Sequence, residues 1–271
     1  MIKDIEMVLI DLDGTLLNNN KTIGKADLQT LEYLGKSNVV RAIATGRNYY
    51  SALSVLPADI SIDYLIFSSG AGIIDWKNRN MLYSSVLEKE IVFKTEKVLK
   101  ALKVNFSIHF PIPDNHKYFY YKVNDHSNDF NKRNSIYSDY CMELLNGYPL
   151  DSATQFLVIL DNESDYHFIA SQIEGLKVIR ATSPIDGISI WLEIFNTDVS
   201  KALGGIFLCK KLRISQKATL GIGNDYNDID LLNWTAKSYM VDNGPDELKQ
   251  NYLSCCSNQD NPLTMVFKHL I

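Results

Sequence analysis

A short apolar run, Met7-Val8-Leu9-Ile10, ends in Asp11-Leu12-Asp13-Gly14-Thr15. The run reads as a buried strand, and strand side chains alternate, so Asp11 and Asp13 project to the same side if the strand persists. Two carboxylates leaving a hydrophobic strand are costly unless a cation, a proton or hydrogen bonds compensate them. Gly14 allows the sharp departure that brings Asp13 back over the strand end. The pair therefore points to a hard metal ion, Mg2+, with one carboxylate free to act as a nucleophile. Asp-Gly also marks ordinary turns and hairpins. A calcium loop does not fit, because Thr15 and Leu17 stand where it needs alternate oxygen ligands. Partners elsewhere in the chain must decide.

The chain around this motif alternates strand and helix signals. Residues 7–12, 39–45 and 64–68 read as strands, with helices over 25–36 and 47–56. Apolar strands separated by helices favour a parallel sheet covered on both faces. The middle changes character. A helix over 89–102 precedes aromatic and β-branched runs at 118–123, 155–160, 177–181 and 188–194, with helices expected over 139–145 and 166–173. Residues 124–135 are polar and read as a loop. Strand–helix alternation returns with a helix over 200–212, a strand over 218–222, a helix over 227–234 and a strand over 239–241. Pro245 suits the first turn of a further helix. The expected fold is α/β, a Rossmann-like parallel-sheet core (1–81 and 188–271) interrupted by an inserted α+β cap (82–187).

With 271 residues, 46% of them apolar, the chain can bury substantial cores in one large or two moderate domains of about 150 residues each. A net charge of −5 with interspersed signs argues against a nucleic-acid surface, which needs a basic face. It leaves anionic metabolites open, because a few local cations and a metal reverse the field within a site. The N-terminus lacks the pattern of a secretory signal, and no apolar segment approaches the roughly 20 residues of a membrane helix. Cys141, Cys209, Cys255 and Cys256 lack a zinc-ligand spacing and read as reduced thiols. The expected location is cytoplasmic; oligomeric state is not legible.

Three further segments carry chemistry. Ala44-Thr45-Gly46-Arg47 follows a strand, where a hydroxyl and helix-start N–H groups can hold a phosphate oxygen or simply cap the helix. Val199-Ser200-Lys201 opens a helix. A lysine opposes the helix dipole there, unless it neutralises clustered carboxylates and a phosphoryl group. Gly221-Ile222-Gly223-Asn224-Asp225-Tyr226-Asn227-Asp228 places amides and acids beyond another strand. It lacks the third glycine of a dinucleotide fingerprint, and its oxygens suit Mg2+.

In the order Asp-x-Asp, Thr, Lys, acidic loop, these motifs resemble the haloacid dehalogenase superfamily of phosphatases. The large insertion between the threonine and lysine motifs, Glu193-Ile194 before Val199-Ser200-Lys201, and Asn227-Asp228-Ile229 resemble its Cof-type sugar-phosphatase branch. The resemblance implies Mg2+-dependent hydrolysis of a small phosphorylated metabolite through an aspartyl-phosphate on Asp11. It implies Asp13 as general acid and base, Thr45 holding a phosphoryl oxygen, and Lys201 orienting Asp11. Substrate contacts fall on Thr45, Gly46, Arg47, Ser69, Gly70 and Lys201. The metal set is Asp11, the carbonyl of Asp13, Asn224 and Asp228. The insertion is expected to act as a lid, with His109, His116 and residues 118–121 as candidate contacts or core residues.

Two departures stand out. Asn224 replaces the acid of the usual Gly-Asp-x-x-Asn-Asp loop, which removes one negative charge from the metal set or shifts Asp225 into it. Ser68-Ser69-Gly70-Ala71 replaces an Asn-Gly-Ala pattern. The rival readings are a phosphomutase using the same intermediate and a catalytically weakened phosphometabolite-binding protein.

Overall fold

The computed structural model describes residues 4–268. In chain order, the first segment comprises β1 (Met7–Ile10), α1 (Lys25–Lys36), β2 (Val40–Ala44), α2 (Tyr49–Leu53), β3 (Tyr64–Phe67), β4 (Gly72–Asp75) and β5 (Asn80–Ser84). The middle comprises β6 (Leu87–Glu88), α3 (Lys89–Ala101), β7 (Phe106–His109), β8 (Tyr118–Tyr121), α4 (Asn128–Ile136), β9 (Cys141–Glu143), β10 (Ser152–Ala153), β11 (Phe156–Leu160), α5 (Glu163–Ser171), β12 (Lys177–Thr182) and β13 (Ile190–Phe195). The last segment comprises α6 (Lys201–Leu212), β14 (Thr219–Gly223), α7 (Ile229–Trp234), β15 (Lys237–Val241), α8 (Asp246–Lys249), β16 (Leu253–Cys255) and α9 (Pro262–Lys268).

These elements form two compact units. One runs to Ser84 and resumes at Ser200; the other is Ser85–Val199. The first holds an eight-stranded sheet in the order β16-β15-β14-β1-β2-β3-β4-β5. It is parallel from β16 to β3, while β4 and β5 join antiparallel. The core is thus a mixed sheet rather than a wholly parallel one. Every residue of β1 is buried, as expected of a central strand with both faces covered. Helix α1 buries Leu31 and Leu34. Asp27 in its first turn accepts from the N–H and Oγ1 of Thr264 at 2.8 and 2.7 Å, tying the helix to α9.

The second unit holds a six-stranded sheet, β12-β13-β11-β7-β8-β9, antiparallel except for the β8–β9 pair. Phe106, Phe156, Val158, Leu192 and Ile194 join Val92 and Leu99 of α3 and Ile169 of α5 in its core. The expected boundary at 187/188 falls earlier than the observed one at 199/200. The sequence boundary places β13 in the parallel core, but it is hydrogen-bonded between β11 and β12.

Two expectations for this unit are corrected. Residues 128–136 are helical rather than loop. Ser127 caps α4 by accepting from the N–H of Phe130, and one buried aromatic, Phe130, anchors it against Leu157 and Ile159. Residues 141–143 are a strand rather than a helix, because the backbone pairs with β8 in register Tyr118↔Cys141. As an edge strand it leaves Met142 and Glu143 exposed. All four cysteines are free. Among the described residues no helix is long and apolar enough to cross a membrane.

His109 belongs to the second unit's interior. Its ring stacks on Tyr118 with centroids 5.0 Å apart. Nδ1 donates to the Asn115 carbonyl at 2.8 Å, and Nε2 accepts from Arg133 Nη2 at 3.2 Å. Burial and the neighbouring Arg133 charge push its pKa down to about 3. The unfolded chain binds this proton near pH 6.5, so the stabilisation is complete above that pH and is lost as pH falls. Between pH 6.5 and 4.5 wild type is expected to lose roughly 2–3 kcal/mol more than His109→Gln. Urea titrations across this range test it; parallel losses would remove His109 as the cause.

Candidate active site

The sheet order reverses direction at β1, which lies between β14 and β2. In open α/β sheets, ligands bind beyond the carboxyl ends of the strands at such a switch point. Asp11 follows β1, Thr45 follows β2, Ser68–Gly70 follows β3 and Asn224 follows β14. The motifs therefore share one edge of the first unit. Asp11 stays locked to the sheet, because its N–H donates to the Ile222 carbonyl at 2.9 Å.

Lys201 opens α6, whose N-cap Ser200 accepts from the N–H of Leu203 at 3.1 Å. Its ammonium donates to Asp11 Oδ1 and Asp228 Oδ1, each at 2.6 Å, and to Asn227 Oδ1 at 3.2 Å. The lysine and Asp228 side chains are 0% exposed and that of Asp11 5%. Against burial, which favours the neutral form, the two carboxylates hold Lys201 protonated and raise its pKa. One cation cannot neutralise two buried acids. Burial and the Asp228 charge push Asp11 up to about 7. Of the two acids it is thus the candidate nucleophile that is pushed toward its protonated form.

Asp13 has a different environment. Arg47 grips it with two bonds, Nε to Oδ2 at 2.6 Å and Nη2 to Oδ1 at 2.8 Å, and Lys21 Nζ adds a third at 3.0 Å. Against burial, which raises it, the Arg47 fork and Lys21 hold the Asp13 carboxyl below its usual range. Two acids one residue apart are therefore pushed in opposite directions, the pattern expected when two carboxyls take different parts in a reaction. Arg47 also donates to Ser51 Oγ at 2.8 Å. In this arrangement it holds Asp13.

Thr45 is buried, and its Oγ1 accepts from the N–H of Arg47 at 3.1 Å. Ser68, Ser69 and Gly70 have φ of 49°, 56° and 109°, a left-handed run costly for the two serines. A Cβ on Gly70 would lie 2.2 Å from the Ser200 carbonyl oxygen. This turn is thus wedged against the start of α6. A Cβ on Gly46 would lie 3.4 Å from the Asn227 amide and 3.6 Å from Ser69 Oγ, which brings these positions into one neighbourhood.

Both Asp228 oxygens are engaged: Oδ1 with Lys201, Oδ2 with the N–H groups of Asn224 and Asp225 at 2.9 and 3.1 Å. Asp228 therefore shapes the loop and holds the lysine. Asp225 forms a reciprocal capping pair with it. The Asn224 side-chain amide faces Asp11 Oδ2 and the Asp13 carbonyl oxygen, each at 2.9 Å, and Thr15 Oγ1 at 3.1 Å. A carboxylate, a backbone carbonyl and an amide are hard oxygen donors that suit Mg2+. Among the described residues no group of three or more His, Cys, Asp or Glu side chains is placed to hold a metal; two of the three donors in this set belong to neither class.

Sequence reasoning missed Lys21, which reaches Asp13 from the turn closed by Asn18 and Thr22, and Asn243, which donates to the Gly14 carbonyl at 2.8 Å. Neither carries a local signal. Ser51 was missed for the same reason.

The pattern of the haloacid dehalogenase-like hydrolases matches residues 8–262. A Buchnera aphidicola protein provisionally named a phosphatase is 24% identical over 267 residues, 96% of this chain and 93% of its own. The HMP-PP phosphatase of Yersinia pestis is 35% identical over 104 residues, 38% of this chain and 37% of its own. Among solved structures, a phosphatase of this superfamily from Bacteroides thetaiotaomicron superposes with a TM-score of 0.79 at 17% identity, covering 98% of this chain and 94% of that one. A subclass IIB sugar phosphatase gives 0.76 at 17% identity, with 98% of each chain covered. With that match spanning most of its length, and the same fold in those structures, the chain belongs to the haloacid dehalogenase-like hydrolases.

Proposed function

We propose that this hydrolase is a Mg2+-dependent phosphatase acting on a small phosphorylated metabolite, a sugar phosphate in the first instance. The observation that carries the reading is the buried Lys201 bridge between Asp11 and Asp228, beside an Asp13 held in a separate cationic clamp. The phosphatase names of the relatives support the substrate class.

Asp11 attacks phosphorus, forming an Asp11–O–P bond as the bond to the leaving oxygen breaks. Asp13, protonated for this step, gives its proton to that oxygen. Its carboxylate then takes a proton from water as the water oxygen attacks phosphorus, releasing phosphate and regenerating Asp11. The Arg47 clamp favours the base form, so the acid form requires Asp13 to leave the guanidinium. Thr45 holds a phosphoryl oxygen, and Lys201 keeps Asp11 oriented. Asp11, the Asp13 carbonyl and Asn224 would hold the cation. When bound, Mg2+ offsets the charge of the phosphoryl group as a Lewis acid.

The test is hydrolysis of sugar phosphates, nucleotides and cofactor phosphates with Mg2+ or EDTA, in 18O-labelled water. Mg2+-dependent release of phosphate carrying one label is expected. An isomeric sugar phosphate without label would make the protein a phosphomutase. Binding without turnover would make it a binding protein.

A further inference from the structure

The Asn224 backbone is anchored at its N–H and packs close to Gly244 at its carbonyl. Its N–H donates to Asp228 Oδ2 at 2.9 Å, and its carbonyl oxygen lies 2.8 Å from where a Cβ on Gly244 would sit. Its side chain is equally confined. A Cβ on Gly14, whose φ is +74°, would come within 2.5 Å of the amide, so Gly14 is needed both for its backbone angle and for this approach. The available motion is rotation of the amide in place, which exchanges nitrogen and oxygen with almost no change of shape.

The groups it faces distinguish the two orientations. At pH 8, where Asp11 is a carboxylate, its Oδ2 and the Asp13 carbonyl oxygen both accept hydrogen bonds, so the nitrogen turned inward donates to both at 2.9 Å. Asp11 Oδ1 is already taken by Lys201, which leaves Oδ2 for this contact. Thr15 Oγ1, fully buried at 3.1 Å, can accept from the nitrogen or donate to the oxygen. It satisfies the amide either way. A divalent cation that takes Asp11 Oδ2 and Asp13 O as ligands can take the amide only through its oxygen.

We infer that Asn224 is a two-position amide: with nitrogen inward it bridges Asp11 and the Asp13 carbonyl, and with oxygen inward it ligates the divalent cation. This rests on the metal reading above. The cation must displace two hydrogen bonds to enter, and it gains a neutral ligand in place of a charged one. A carboxylate at this position reverses both terms. It sets acceptors against acceptors without the cation and adds a charged ligand with it.

Wild type, Asn224→Asp and Asn224→Ala are melted in EDTA and titrated calorimetrically with MgCl2, and the side-chain NH2 of Asn224 is followed by NMR hydrogen exchange. In EDTA both variants are expected to melt several degrees below wild type, with Asp the lowest. Mg2+ is expected to bind Asn224→Asp at least about tenfold more tightly than wild type, and Ala more weakly. In wild type the Asn224 NH2 protons are expected to be protected in EDTA and to lose protection at saturating Mg2+. Equal Mg2+ affinity of Asp and wild type, an Asp variant as stable as wild type in EDTA, or unchanged NH2 protection overturns the two-position amide alone. Mg2+ binding to none of the three overturns it together with the metal reading.

Discussion

Asp11→Asn is expected to remove turnover, by at least about 10³-fold, while making the fold more stable at pH 8 than wild type. Loss of activity follows because an amide cannot serve as the nucleophile. The gain in stability comes from charge. Asp11 holds its proton in the folded chain up to about pH 7, against a usual 3.8. Over that window the folded state binds a proton that the unfolded state has released, so stability falls as pH rises through it. By pH 8 the cost is on the order of 4 kcal/mol. The asparagine carries no such cost, and Asn224 can turn its oxygen toward the new amide. Urea denaturation in EDTA at pH 4 and pH 8 checks this. The two proteins should be close at pH 4 and separate at pH 8 in favour of the variant. A variant less stable than wild type at pH 8 would mean that the Lys201 bridge outweighs the Asp228 repulsion, and unchanged turnover would sink the proposed nucleophile.

Lys201→Met has the opposite signature, with activity and stability lost together. Methionine is of similar length and apolar, so the loss is of charge more than of volume. Asp11 and Asp228 are then left without the cation that each contacts at 2.6 Å. Removing one partner of a buried ion pair costs about 3–5 kcal/mol. Here the remaining carboxylates also repel each other, so the upper part of that range is expected at pH 8. Protonation of Asp11, already favoured at about pH 7 with Lys201 in place, relieves part of the repulsion, so the deficit should shrink as pH falls through neutrality. Turnover should fall by at least about 10³-fold with substrate and Mg2+ saturating. Thermal melts across pH, paired with rates, separate this from simple unfolding. A variant that melts like wild type would show that the bridge contributes little to the fold.

The sequence was most informative where chemistry is encoded locally and least where it depends on burial or distant partners. Asp11, Thr45, Lys201 and the 223–228 loop were legible because each sits next to a strand end or helix start. The complete burial of Lys201 was not, since a lysine at a helix start usually faces solvent. Arg47 shows the same limit from the other side. It lies in a recognisable motif, but its partner is 34 residues away, and no spacing in the sequence names Asp13. Asp228 reads as a ligand from its acid alone, and its bonds to Lys201 and to the N–H groups of Asn224 and Asp225 are visible only in the fold. In the second unit, α4 was missed because its 3.6-residue period rests on Phe130 and the buried stem of Arg133 rather than on a stripe of leucines. The three residues of β9 were misread because a strand this short is defined by its neighbour.

Every residue of the Asp11 network is encoded before Ser85 or after Val199. Two genetic crossovers, one at each junction, would therefore exchange the whole second unit while leaving the reacting side chains untouched. A lineage built this way can diversify by segment replacement, with selection on the flanks acting against change and selection on the insert free to act for it.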